Sequence, residues 1–274
     1  MEKDENQIIL VDKPAGISSF GVVAKVRGYL KSQFGHKVKV GHTGTLDPFA
    51  TGLLILLFGK NTKKSNEFLK KDKVYEATLK LGFTSTTGDP EGVITETTSS
   101  KHDETFPQEK SSDSPDFHNI SPLKNSVSEA NIKNFSEAEN VVKMTPREYY
   151  PRLEEVVSAI RSFTGTISQK VPQFSAIKID GERAYKLARA GKSFDTPTRT
   201  VTIYSIEILD YSYPFLTIRT HVSSGTYIRT LAEDIGEKLG TGAYLTALRR
   251  TKIADYQVSD AHPLSDFTNQ PLTF

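Results

Sequence analysis

Residues Gly41–Phe58 read GHTGTLDPFATGLLILLF, and the two halves of this stretch belong to opposite environments. The first half sets one carboxylate, Asp47, among glycines, threonines and a proline. Glycines let a backbone come close to a ligand, and Pro48 fixes the turn just after the acid. The second half, Leu53 to Phe58, is apolar throughout and reads as a buried strand that anchors the loop. An Asp-Pro pair in an arbitrary loop is a turn cap. A cap needs no glycine clearance, so this loop reads instead as a rigidly anchored site.

Upstream, Ile8 to Val11 reads as a short strand ended by Lys13-Pro14. Ser18 or Ser19 caps a helix whose apolar positions are Val23, Val26, Leu30 and Phe34, with Gly35 as its stop. Downstream, Lys60 to Lys73 holds six lysines. Tyr75, Ala77, Leu79 and Leu81 then alternate with polar residues, the period of a half-buried strand. Beyond Pro151, Leu153, Val156, Val157, Ile160 and Phe163 mark an amphipathic helix. Phe174 to Ile179 reads as a strand, Asp180-Gly181 as a turn, and Glu182 to Ala190 as a helix. Thr200 to Leu209 and Phe215 to Val222 read as paired strands. Thr226 to Leu239 is a helix stopped by Gly240, and Ala243 to Arg250 is read as another. Strands outnumber helices and most are hairpin-linked, so the fold class is α+β with a largely antiparallel sheet.

Thr95 to Thr145 differs in kind. It is rich in Ser, Glu, Asp, Asn and Lys and has no sustained period. Such a stretch buries too little to offset its ordering entropy, so residues 95–145 are expected to be a disordered insertion, with a short helix near Glu137 to Val142. The expected organisation is one catalytic domain over 1–266 and a short tail over 267–274.

Composition excludes several chemistries. The 274 residues include no cysteine, which removes disulfides, thiol nucleophiles and cysteine-ligated zinc. The six histidines are scattered, so no metal site is expected. No Gly-Lys-Ser/Thr follows the loop glycines and no Gly-x-Gly-x-x-Gly occurs, which argues against nucleotide hydrolysis and dinucleotide redox chemistry. The polar start MEKDENQ and the absence of a membrane-length apolar run predict a soluble, cytoplasmic protein. A net charge of +2 leaves a nucleic-acid partner to local clustering. The lysine run with Arg249, Arg250 and Lys252 would make a basic face for phosphates.

Three further side chains suit RNA chemistry. His42, five positions before Asp47, can contact phosphate or stack on a base. Tyr75, behind the basic segment, suits stacking on an unpaired base. Arg229, in the first turn of its helix, would hold a buried carboxylate ionised through bidentate bonds.

Together these segments resemble the TruB-type pseudouridine synthases, which act on the T-loop of tRNA. The resemblance covers Val11-Asp12-Lys13-Pro14 with Gly16 and Ser18-Ser19, then Gly41 to Gly52. It continues through Lys73-Val74-Tyr75, Leu81-Gly82 and Thr84 to Gly92. It also takes in Val171-Pro172, Ser175-Ala176, Gly181, Tyr185, Ser224 to Thr230 and Leu248-Arg249-Arg250. It implies a pseudouridine synthase-like mixed, mostly antiparallel sheet with flanking helices and a central catalytic cleft. It implies that Asp47 is the essential aspartate, that Tyr75 packs on the target base and takes part in proton removal at C5, and that Arg229 pairs with the aspartate. His42 is implied to help receive the flipped nucleotide, Asp89 to organise hydrogen bonds in the site, and Leu248 to line the base pocket. Lys13 of the opening motif joins the substrate-binding set. The implied reaction detaches uracil, rotates it and rejoins it through C5, with no cofactor. Asp47 would act either on C1′ or on the C2′ proton. The implied partner is the T-arm of tRNA, bound by a monomer without an obligate protein partner. With little sequence after Asp266, the full PUA domain that many relatives append is not expected.

Overall fold

The computed structural model describes residues 7–97 and 150–267, all within one compact unit. Before residue 98 the elements are β1 (Ile8–Lys13), α1 (Ser19–Phe34), β2 (Val40–His42), β3 (Thr51–Phe58), α2 (Ser65–Leu69), β4 (Lys73–Leu81), β5 (Phe83–Ser85) and β6 (Ile94–Glu96). From Tyr150 they are α3 (Leu153–Arg161), β7 (Gly165–Lys170), β8 (Lys178–Ile179), β9 (Glu182–Arg183), α4 (Ala184–Arg189) and β10 (Thr198–Ser212). The chain then forms β11 (Phe215–Val222), α5 (Ile228–Leu239), β12 (Ala243–Ile253), β13 (Tyr256–Gln257) and β14 (His262–Pro263). Ser18 caps α1 through the Gly21 amide, and Gly35 closes it in the left-handed conformation that glycine reaches without strain.

Ten strands form one sheet in the order β14-β1-β3-β12-β4-β11-β10-β7, with β2 on β3 and β13 on β12. Only the β1·β14 and β3·β12 pairs are parallel, so the sheet is mixed and mostly antiparallel, as the sequence predicts. One core joins Ala77, Leu79, Leu81, Leu216 and Ile218 of the sheet to Val156 and Ile160 of α3 and Leu231 and Ile235 of α5. A second packs Val22, Val23 and Val26 of α1 on Val11, Leu54 and Leu56. The opposite face of β3 joins Leu53, Ile55 and Leu57 to Ile253. Buried on both faces, β3 needs an apolar residue at every position, which is why its sequence does not alternate.

Ala243 to Arg250 is strand, not helix. It lies between β4 and β3, and two bulges, at Leu245/Ala247 and Arg250/Lys252, interrupt its register. Each bulge adds a residue to the strand's count. Leu245 and Leu248, three apart, therefore both point inward, a spacing that imitates a helix. Pairing on both edges overrides the helical preference of Ala and Leu.

Smaller departures have similar causes. Glu182 and Arg183 pair with Lys178 and Ile179 before α4 begins. Phe163 lies past the end of α3 yet packs on its core. The edge strand β7 alternates in burial, but its inward positions are Gly165, Ile167 and Gln169, so only one of them shows as apolar in the sequence. The expected insertion begins at Thr95, but β6 continues through Glu96. Its remainder, the short helix near 137–142 and the tail beyond Phe267 lie outside the described residues.

Candidate active site

The loop between β2 and β3 is gripped from the protein interior by three side chains. Ser19 is buried, and its hydroxyl accepts from the Leu46 amide at 2.8 Å and donates to the Leu46 carbonyl at 2.9 Å. The Lys13 ammonium, fully buried, donates to the carbonyls of Pro14, Ile17 and Pro48 at 2.8, 2.7 and 3.1 Å. Burial lowers its pKa to about 8, against the opposing pull of Asp47 and Glu91. Arg250 donates from Nε to the Leu53 carbonyl at 2.8 Å, from Nη2 to Gly44 at 3.2 Å and from Nη1 to Thr45 at 3.5 Å. Each grip satisfies a carbonyl or amide that a tight loop would otherwise leave unpaired. Ser19→Ala should lower stability by about 1–2 kcal/mol, measured by denaturant unfolding, because it orphans both Leu46 groups at once.

So held, the loop turns at Asp47-Pro48, where the Ala50 amide donates to the Asp47 carbonyl at 3.1 Å. The Asp47 side chain takes no part in that turn. Its Oδ2 lies 3.0 Å from Arg229 Nε, and 33% of the side chain is exposed. The turn-cap alternative therefore fails on geometry.

Arg229 approaches from the first turn of α5. Gln169 on β7 sets that turn: its side chain accepts from the Tyr227 amide at 2.8 Å and donates to the Tyr227 carbonyl at 3.1 Å. The guanidinium is shared rather than bidentate. Nη1 donates to the Thr87 carbonyl at 2.8 Å and lies 3.5 Å from Asp89 Oδ2, while Nη2 donates to the Phe174 carbonyl at 2.8 Å. Asp89 is buried and accepts from the Thr87 hydroxyl at 2.5 Å and the Glu91 amide at 3.0 Å.

The electrostatics depart from the expectation of a simple ion pair. Arg229 and Lys13 lower the Asp47 pKa, but burial, aided by Asp89, outweighs them and raises it above the ordinary 3.8. Desolvation of the loop wins because Arg229 divides its charge between two acids. Asp47 is thus a carboxylate held more basic than a surface aspartate.

Tyr75 and Leu248 are buried in the same apolar cluster as Leu46 and Ala50 of the loop. Tyr75 on β4 stands opposite Arg250 on β12, and Leu248 opposite Ala77. One β12–β4 register therefore brings both to the loop. Among the described residues the Tyr75 hydroxyl has no hydrogen-bond partner, and it is not sealed off. His42 takes the Gly44 amide on Nδ1 at 3.3 Å, which leaves the ring proton on Nε2. Burial and Arg250 lower its pKa, so the ring is neutral at physiological pH.

The expected basic face is smaller than its sequence. Arg249 is spent on Asp12, with contacts of 2.7 and 3.1 Å. Arg250 is interior, and buried Lys73 donates to the carbonyls of Leu69 and Lys71. Lys60, Lys63, Lys64, Lys70, Lys71 and Lys252 remain exposed. Three residues that hold the site lie outside the seven predicted: Ser19 and Arg250, matched as motif residues but given only a cap and a basic-face role, and Gln169, which had no signal. Among the described residues no group of acids and histidines could hold a metal ion, and no helix is long and apolar enough to cross a membrane.

The TruB family pseudouridylate synthase N-terminal model matches residues 31–119 and 125–228, and the tRNA pseudouridylate synthase B C-terminal domain model matches 229–273. A tRNA pseudouridine synthase B of Cupriavidus metallidurans is 37% identical over 270 residues, covering 98% of this chain and 69% of the relative. One from Phocaeicola vulgatus is 37% identical, covering 97% of this chain and 94% of the relative. Among solved structures, a Cbf5-Nop10-Gar1 complex contains a chain that superposes with a TM-score of 0.59 at 23% identity. That match covers 96% of this chain and 53% of the other, so the chain spans about half the length of that neighbour. The neighbour supports the fold, a mixed sheet with few helices. The sequence matches carry the rest: the chain belongs to the TruB family of pseudouridylate synthases.

Proposed function

We propose that the protein converts a uridine in the T-loop of tRNA to pseudouridine, with Asp47 as the reacting carboxylate and the target base everted into the site. The observation that carries this reading is the 3.0 Å contact of Asp47 with Arg229 in a family whose members are named tRNA pseudouridine synthases. The reaction is an isomerisation. The N1–C1′ bond breaks, uracil rotates, a C5–C1′ bond forms, and the C5 proton leaves while N1 gains one. No electrons are exchanged, so the balance requires no redox cofactor. Asp47 either bonds to C1′ or takes the C2′ proton, and a carboxylate of raised basicity serves both routes.

The other residues divide the work. Tyr75 and Leu248 form the apolar seat for the detached base, and the Tyr75 hydroxyl assists proton loss from C5. Neutral His42 donates from Nε2 towards the everted nucleotide. Lys13 acts through the loop, holding the Pro48 carbonyl beside Asp47. Eversion is required because the glycosidic bond of a stacked nucleotide is out of reach. We propose that the chain acts as a monomer without a protein partner. Light scattering at assay concentration tests this, and a larger assembly overturns it.

Tritium release from C5 of uridine in an unmodified tRNA transcript tests the activity. Intact protein that binds the transcript and releases no label would refute the reading. A pH profile tests the electrostatics. Only ionised Asp47 reacts, so kcat/KM should fall as pH drops through its folded pKa, with the acid limb displaced upward from the ordinary 3.8. Arg229→Gln removes a lowering influence and should move that limb higher still.

A further inference from the structure

The two helices that adjoin the Asp47 loop each carry a large exposed apolar side chain. Phe20 is 66% exposed and follows Ser19, whose hydroxyl grips both polar groups of Leu46. Leu69 is 43% exposed, and its Cδ2 lies 4.0 Å from the point a Cβ on Gly44 would occupy. The start of α2 is tied to the same loop, since the Ser65 hydroxyl donates to the His42 carbonyl at 3.4 Å. α1, through Ser19, and α2, through Ser65 and Leu69, thus both adjoin the Asp47 loop, and each carries an exposed apolar side chain there. Between them the surface is glycine and threonine: Gly44 half-buried, Thr45 exposed.

We propose that Phe20 and Leu69 are a platform for the unpaired bases that flank the target uridine, and so determine which RNA loops the enzyme accepts. This rests on the RNA-uridine reading of the Asp47 site. Charge identifies the occupant. Between Lys60 and Lys71 the sole acid is Glu67, and Lys63, Lys64, Lys70 and Lys71 are exposed around Leu69. An aromatic ring for stacking and an aliphatic side chain for apolar contact, beside ammonium groups, fit bases with their phosphates, and aromatic stacking tolerates any base. A duplex hides its base faces, so the platform selects a loop whose bases are already splayed. Eversion of the target opens the stack on both its sides, and two platforms bordering the loop receive the bases so exposed.

Steady-state kinetics on an unmodified T-arm hairpin, with tritium release as the readout, tests this. Phe20→Ala should raise KM about tenfold and Leu69→Ala a few-fold, with most of the loss in KM rather than kcat. Phe20→Trp should restore KM. A hairpin with abasic residues flanking the target should bind wild type and Phe20→Ala equally. Both side chains are exposed, so melting temperatures should match wild type. KM values within twofold of wild type for both alanine variants would overturn the proposal and assign the pair to a protein contact. A wild-type protein that releases no label would instead refute the function on which the proposal rests.

Discussion

Asp47→Asn is expected to lower kcat by about 10⁴-fold or more, to the background of the tritium-release assay. Asparagine keeps the shape of the loop and cannot supply a carboxylate to C1′ or accept a proton from C2′. Affinity for the T-arm should stay within about threefold, because phosphate contacts and stacking carry binding and neither involves this side chain. The variant should also fold at least as well at neutral pH. Burial raises the Asp47 pKa, so the folded state binds this proton more tightly than the unfolded chain. The stability this group contributes is then present at low pH and declines as pH rises from the ordinary pKa through the folded one. A neutral amide removes that decline. Gel-shift affinity, label release and thermal melting together check the prediction. Residual turnover within a hundredfold of wild type would remove Asp47 from the chemistry. Equal loss of binding would mean that the substitution had damaged the surface instead.

Gly52→Ala should be among the most damaging single-methyl changes among the described residues, costing roughly 3 kcal/mol or more. Two costs add there. The residue has a φ of +102°, a conformation that a side chain strains. A Cβ would also stand 2.3 Å from the Arg250 carbonyl oxygen and 2.8 Å from its amide nitrogen. These are backbone atoms of the neighbouring parallel strand, paired with Gly52 itself, so no rotamer change relieves the contact. The β3–β12 pair would have to part, and Arg250 would lose its hold on Gly44, Thr45 and Leu53. At about 2–4 °C per kcal/mol for a domain of this size, the melting temperature should fall by about 6–12 °C. Turnover should fall with it even in the folded fraction, because the Asp47 loop loses its anchor. Calorimetry and kinetics at a temperature well below the new midpoint separate the two effects. An unchanged melting temperature would show that the strands do not approach as closely as described.

The legible parts of this protein are those where one local rule operates alone. The Tyr75–Leu81 alternation, the Ser18 and Gly35 caps and the apolar run of β3 each follow from a single periodicity or cap. Each appears as a strand or helix where the residues say it should. The family was legible because ordered motifs along one chain matched it, and the structure brings Arg229 to Asp47. Two features were illegible for identifiable reasons. The β12 bulges shift the inward face by one residue, and a shifted two-residue period looks helical over eight residues. Arg250 carries the same charge as its neighbour Arg249, yet one is sealed inside with carbonyls and the other reaches Asp12 near the surface.

The sequence by itself determined which residue types could do the chemistry: a lone carboxylate in a glycine-rich loop, a tyrosine opening a strand, an arginine opening a helix. Residue identity and spacing are local, and so are the rules that read them. Only the tertiary structure decided that Arg229 is divided between Asp47 and Asp89, and that burial raises the Asp47 pKa despite it. Only the tertiary structure decided that Lys13, Ser19 and Arg250 serve the loop from inside. Desolvation and the sharing of a donor depend on what other segments bring within a few ångströms, and the β3–β12–β4 pairing supplies those neighbours.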